Sequence, residues 1–386
     1  MPGYKALKSG LFPQPVKARP FKARCEPTKV VLFRLTMDRK TGTKNVNGKP
    51  QIDAIDPVCA LPGGEVRILG SGLGPHELRR PRVSFGDVDG PVIISAEQFI
   101  VARVPDGAAS GKVVVSANGF KSNPHEVRIA VPIAEGLHPV ANPAVDAQGN
   151  VYVTFSGSRG QKVPIAIYRI DANYTVKPFV HEMMNATGLA FDRSGSLYVS
   201  SRYDGTVYRV AQNGTMTSYA EGMGIATGIA FDRAGNLYVG DRSGTIFKIG
   251  RDRQIFVFAT IEPSIAAYHL AFGNNGNLYI TGPTISSFDA IHQVDPHGEV
   301  SEFYRGLGRP QGIAVDVDDN LYVAASHNGR RGIVRITPDR KASLVVSGQN
   351  LVGLAFAPGR SAVLATTSGV HHLSWDIEGR SLLPVS

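Results

Sequence analysis

The side chains able to do chemistry in this chain stand at wide intervals. From residue 132 onward there are eight histidines: His138, His181, His269, His292, His297, His327, His371 and His372. A metal site legible in sequence needs ligands at short fixed spacing, such as H-x-x-x-H or H-E-x-x-H, so that one element aims two of them at one ion. Neither spacing occurs. His371 and His372 are adjacent, and neighbours on a strand point to opposite faces, so they cannot share an ion. There is no P-loop, no G-x-G-x-x-G after a strand-like run and no C-x-x-C. Chemistry must therefore come from groups that converge in space. The candidates are Arg202 with Asp204, Asp241 with Arg242, and His327 with Asn328, joined by Asn142, Thr187, Thr227, His269 and Gln311. Mixed donors and acceptors in a concave site suit a polar, hydroxyl-rich ligand such as a carbohydrate, or a protein partner.

What would bring them together is a repeat. "GIAFDRAGNLYVGDRSGTIFKI" at 228–249 has counterparts beginning at Asn142, Gly188, His269, Gly312 and, in worn form, Gly353. The aromatic of "LYV" gives a ruler: Tyr152, Tyr198, Tyr238, Tyr279, Tyr322, then Leu364, at spacings of 46, 40, 41, 43 and 42. Each of the six units reads as four strands with a period of two. The first hairpin is usually Asp-x-x-Gly, where Asp146, Asp192, Asp232 and Asp316 accept backbone N–H groups and the glycine takes positive φ. These aspartates read as turn caps, not metal ligands. Four-stranded units near 42 residues predict a propeller, in which each blade covers the faces of its neighbours.

One position of the first strand is alanine in every unit: Ala144, Ala190, Ala230, Ala271, Ala314 and Ala355. Innermost strands crowd toward an axis where volume is scarce, so a small residue belongs there. The flanking residues, such as Ile229 and Phe231, should wedge between blades. His269 stands where neighbouring units have glycine, at the top of an inner strand. The strand count suggests that no strand is lent across the ring junction: unit one starts near Pro139 and unit six ends with "SLLPV". Pairing by "VRIAV" at 127–131 is the alternative.

Upstream, residues 50–131 read as seven short strands between Gly, Pro, Asn and Asp turns, a β-sandwich. Residues 1–50 hold twelve Lys or Arg against Glu26 and Asp38, so they carry the net charge of +9 and the rest is about −1. That places the basic character in a Pro-rich arm expected to be largely flexible, pinned at most by a strand at "KVVLFRL", 29–35. It argues against nucleic acid as a partner. Two cysteines, Cys25 and Cys59, make no disulfide framework. No apolar run of about 18 residues predicts a membrane span. The absence of an apolar h-region points to the cytoplasm, with the cell surface as the alternative.

The motifs "IDP" at 55–57, "PGGEVRILGSGLG", "VSFGDV" and "ARVPDGAASGKVVV" resemble the IPT/TIG family of immunoglobulin-like domains. Residues 132–386 resemble NHL-type six-bladed propellers, "PQGIAVDVDDNLYVA" at 310–324 most closely, and are similar to the gluconolactonase and regucalcin-like group. That last resemblance implies a divalent cation, usually calcium, held at the channel mouth by a Glu, two Asn and an Asp. Here Ala141 stands in the place of the Glu, and Thr187, Thr227, Tyr268, Gln311 and Val352 stand where ligands would precede the inner strands. Such a set does not supply the oxygens that a hard cation wants.

The expectation is an all-β chain: an arm over 1–50, an immunoglobulin-like sandwich over 51–131 and a six-bladed propeller over 132–386. Its function is expected to be binding or scaffolding at the propeller's top face, without a cofactor. The alternative is a lactonase-type hydrolase or lyase with a divergent metal site, calcium on the axis.

Overall fold

The computed structural model describes residues 49–75, 79–155 and 162–381. Among these there are 34 strands and no helix. The chain is all-β, an immunoglobulin-like sandwich followed by a six-bladed propeller. Of the arm only Lys49 and Pro50 fall within the described residues; the run at 29–35 and Cys25 lie outside them.

One sheet of the sandwich is formed by Gln51–Asp56, Glu65–Ser71, Phe99–Arg103 and Val92–Ala96. The facing sheet runs Cys59–Ala60, His125–Ile129, Gly111–Ala117, Arg82–Phe85 and Val88–Gly90. Alternate residues point inward, as the pleat requires. Val66, Ile68, Ile100, Ala102, Val113, Val115, Val127 and Ile129 fill one buried core. Seven strands have four residues or more; Cys59–Ala60, Val88–Gly90 and Phe120–Lys121 add three shorter ones.

The sandwich continues into the propeller. Cys59–Ala60 pairs in parallel with Ala342–Ser347, the outer strand of the fifth blade, placing Cys59 opposite Val346 and Ala60 opposite Ser347. Leu61 N–H donates to the Ser347 carbonyl at 2.8 Å, and Glu65 N–H to its Oγ at 2.9 Å. A blade edge that would otherwise present unpaired backbone groups is thereby covered. The buried Cys59 thiol is pushed up to about 11 by its burial.

The propeller has six four-stranded antiparallel sheets, one per repeat. In five blades the recurring alanine sits directly opposite the ruler tyrosine, as Ala190 does opposite Tyr198 and Ala314 opposite Tyr322. In the sixth, Ala355 lies opposite Val363. The last mark of the ruler is therefore Val363 and not Leu364; without an aromatic the sequence had nothing to lock the register.

Ring closure also differs from the strand count. The outer strand of the sixth blade is Val131–Glu135, which pairs with Gly369–Ser374. A strand from the head of the propeller thus completes the tail blade, so that backbone hydrogen bonds span the junction. The chain beyond Ser374 turns under the ring, where Trp375 packs edge-on against Tyr322 at 5.1 Å. The rest of "SLLPV" after Ser381 lies outside the described residues.

The tyrosines lock blade to blade. Tyr152, Tyr198, Tyr238 and Tyr322 each meet an inner-strand phenylalanine of the next blade, Phe191, Phe231, Phe272 and Phe356, edge-on at 4.9–5.4 Å. Each of the four hydroxyls donates to its own hairpin aspartate, at 3.0 Å for Tyr322 and Asp316. The same aspartates accept the turn amides, for example Asn320 N–H to Asp316 at 2.8 Å. Capping is what these aspartates do.

Candidate functional site

The six inner strands enclose a central cavity of about 570 Å³. Its size is that of small-molecule sites. All six alanines line it, with Leu189, Ile229, Leu270, Ile313 and Leu354 on the side where the inner strands begin, and Phe191, Phe231, Phe272 and Phe356 toward the hairpin turns. The small residue at each step is what leaves this space; a larger one in the column would fill it.

At the end where the inner strands begin, the polar lining is Asn142 and His269. Asn142 is committed. Its Nδ2 donates to the Ile313 carbonyl at 2.8 Å, and its Oδ1 accepts from Leu354 N–H at 3.1 Å. His269 is not. It is 4% exposed, and its ring makes no hydrogen bond among the described residues. Burial drives its pKa down to about 4, so it is neutral at pH 7. It lines the cavity although neighbouring units have glycine at its position. Gly188 and Gly228 instead face the next blade, and a Cβ on Gly228 would come 2.3 Å from the Tyr268 carbonyl.

The loops after the second strands and before the inner strands do share one face, as Arg202 N–H to Asn185 O and Arg242 N–H to Ile225 O show. The side chains on them do not converge on the cavity. Thr187 is buried and donates to the Asn185 carbonyl at 3.0 Å. Thr227 donates to Gly240 O at 2.8 Å and accepts from Tyr268 N–H at 3.1 Å. Asp241 accepts from Ile225 N–H at 2.8 Å and from the Ser243 hydroxyl. Arg242 donates to Ile265 O at 3.1 Å. Gln311 Oε1 accepts from Arg331 at 2.9 Å. His327 meets Asn328 Nδ2 at 3.1 Å in its own loop, and Arg202 is half-buried in the second blade's loop. None of these seven lines the cavity; Asn142 and His269 do.

Sequence reasoning missed the other end. The segment after Trp375 crosses beneath the hairpins, where Gly379 bridges to Asp316 and Arg380 N–H donates to Val315 O at 2.9 Å. Glu378, Gly379, Arg380 and Ser381 line the cavity there with Asp146 and Arg360. No repeat pattern marks this tail, so nothing in the sequence pointed to it.

No protein-family profile matches the chain, and no curated protein matches it. Solved structures do. A provisionally assigned gluconolactonase is 18% identical over 66% of this chain and 94% of its own, with a TM-score of 0.55. An auxiliary nutrient binding protein from Bacteroides thetaiotaomicron is 13% identical over 85% of this chain and 98% of its own, with a TM-score of 0.52. A protein of unknown function from the same organism is 14% identical over 87% and 99%, with a TM-score of 0.53. The likeness is one of fold. The last two matches cover more of the chain than the propeller alone, so they extend into the sandwich.

Propellers of this shape raise the question of a cation on the axis, and the lining answers on its own chemistry. The end with His269 offers one imidazole, a carboxamide already bonded twice, and no carboxylate. Among the described residues no three His, Cys, Asp or Glu side chains come together. That donor set does not fit calcium, which wants six to eight oxygens.

Proposed function

We propose that this chain is a binding protein that holds a small organic molecule in the propeller's central cavity, its apolar body against the alanine and phenylalanine walls. The observation that carries this reading is His269, which lines the cavity with no hydrogen bond to its ring among the described residues. A ligand hydroxyl or carbonyl entering the cavity would meet a ring nitrogen that the scaffold does not use. The wall chemistry moves the reading away from a hydroxyl-rich carbohydrate, because the polar groups expected at the mouth are bonded to the scaffold. The nutrient-binding neighbour supports small-molecule binding as a use of this architecture. We assign the sandwich to the TIG type on its motifs, with a role as a spacer paired to the edge of the fifth blade through Cys59–Ala60.

The lactonase alternative rests on the gluconolactonase neighbour. A hydrolase here would have neutral His269 as its base, without a carboxylate to orient it. Two measurements separate the readings. Thermal melts with 2-naphthol, a small neutral probe with an apolar body, should show a shift for the wild type that Ala314→Trp abolishes. Turnover of a lactone, lost in His269→Ala, would favour the hydrolase instead.

A further inference from the structure

The hairpin end of the cavity has its own chemistry. Arg380 lines it on the tail segment, half-buried, with its Nε shut away from solvent and unpartnered. No described residue accepts a hydrogen bond from its guanidinium. Arg360, the second arginine on the lining, spends Nε and one Nη on the Asp376 carbonyl at 3.2 and 2.8 Å. The acids nearby are largely committed. Asp146 accepts from Gln148 N–H, Asn150 N–H, Asn150 Nδ2 and the Tyr152 hydroxyl. Asp319 accepts from Asn274 N–H at 2.5 Å, and Glu378 points from an exposed position on the same tail. Arg233 adds a further positive charge near Arg380, and Asp319 an opposing negative one that makes no hydrogen bond to it. A planar guanidinium without an acceptor, next to a ring of phenylalanines, is built to receive a carboxylate whose body is apolar.

We infer that the cavity selects a small aromatic or aliphatic carboxylate, its acid group on Arg380 at the hairpin end and its apolar body among the phenylalanines. This deepens the binding function proposed above and rests on it. The orientation follows from the two ends: neutral His269 has no charge to offer, whereas Arg380 keeps its own in a half-dry site. Desolvation and then Arg233 press the guanidinium below its usual range against the pull of Asp319, and a further anion relieves that pressure.

The test is calorimetric titration of the full chain with 2-naphthoate and with 2-naphthol, which share a ring system and differ in charge. The expected result is naphthoate binding about tenfold or more tighter than naphthol, as a charge-assisted pair in a partly dry site gives. In Arg380→Gln that preference should vanish while naphthol affinity stays within about twofold. In Arg380→Lys, which keeps the charge, part of the preference should return. Equal affinities in the wild type, or a preference that survives in Arg380→Gln, overturn the carboxylate inference and leave cavity binding standing. Failure of both probes to bind overturns the two together. Retained naphthol binding also shows that Arg380→Gln has folded.

Discussion

Asn142 donates its side-chain amide to the carbonyl of Ile313, 171 positions away, at 2.8 Å. The same carboxamide accepts from Leu354 N–H, so one side chain ties the first blade to the fifth and the sixth. Asparagine was expected there as a ligand-binding group; it lines the cavity, and its carboxamide latches the ring.

Asn142→Leu should cost about 2–4 kcal/mol, because it removes two hydrogen bonds and strands their backbone partners. For a chain of this size that is a fall of roughly 3–6 °C in the melting midpoint. Asn142→Asp keeps the acceptor but sets a carboxylate oxygen against the Ile313 carbonyl, so at neutral pH its loss should be at least as large. Differential scanning calorimetry of the three proteins checks this, and equal midpoints would remove the latch.

The glycines at the tops of the inner strands make a second, steric prediction. A Cβ on Gly228 would stand 2.3 Å from the Tyr268 carbonyl, so backbone must move. Gly228→Ala should destabilise by about 1–3 kcal/mol. Chemical unfolding curves compared with Gly149→Ala will separate the steric effect from the backbone one, since Gly149 has open space but a φ of +81°.

Tyr322 tests the tie between hairpin and blade. Its hydroxyl donates to Asp316 at 3.0 Å in a buried setting, and its ring meets Phe356 and Trp375. Tyr322→Phe keeps the rings in contact and loses the hydrogen bond, at about 1–2 kcal/mol. Tyr322→Ala loses both and should cost about 3–5 kcal/mol. Urea denaturation of both variants would show whether the hydroxyl or the ring dominates.

His269 links stability to pH. Its folded pKa is lowered to about 4, below the unfolded value near 6.5, so the unfolded chain takes up the proton first. Its neutral form is fully compatible with folding above about pH 6.5. Between there and about pH 4 the unfolded state gains stability, by about 3 kcal/mol at the lower limit. His292, His327, His371 and His372 shift in the same direction, so the informative quantity is a difference. The melting midpoint of His269→Gln should fall less steeply than the wild type's from pH 6.5 to 4; parallel curves would mean that the ring is solvated.

How much of this was legible before the structure follows from the range of each signal. The alanine column and the tyrosines were readable because volume at the axis and a period of two leave a mark at every repeat. The hairpin aspartates were readable because their partners are two to six residues away. Thr187 and Thr227 were misleading for the opposite reason. They stand at the ligand positions of a related fold, but each hydroxyl is spent on a backbone carbonyl, Asn185 two residues back for Thr187 and Gly240 of the neighbouring strand for Thr227, and residue type alone does not show that. The same limit hid the lent strand, since Val131 faces His372 across the whole ring. It hid Arg380 as well, whose place under the channel depends on a tail outside the repeat. His269 was singled out as the odd residue in a glycine position, and it is the one expected group that lines the cavity with no hydrogen bond to its side chain among the described residues.

The most direct test of the account is a calorimetric titration of 2-naphthol into the wild type, Ala314→Trp and Ala190→Trp. Both alanines line the cavity, on blades well apart, and an indole at either would fill it. The account predicts one site per chain in the wild type and none in either folded variant. Binding that persists in both variants would place the ligand outside the channel and contradict it.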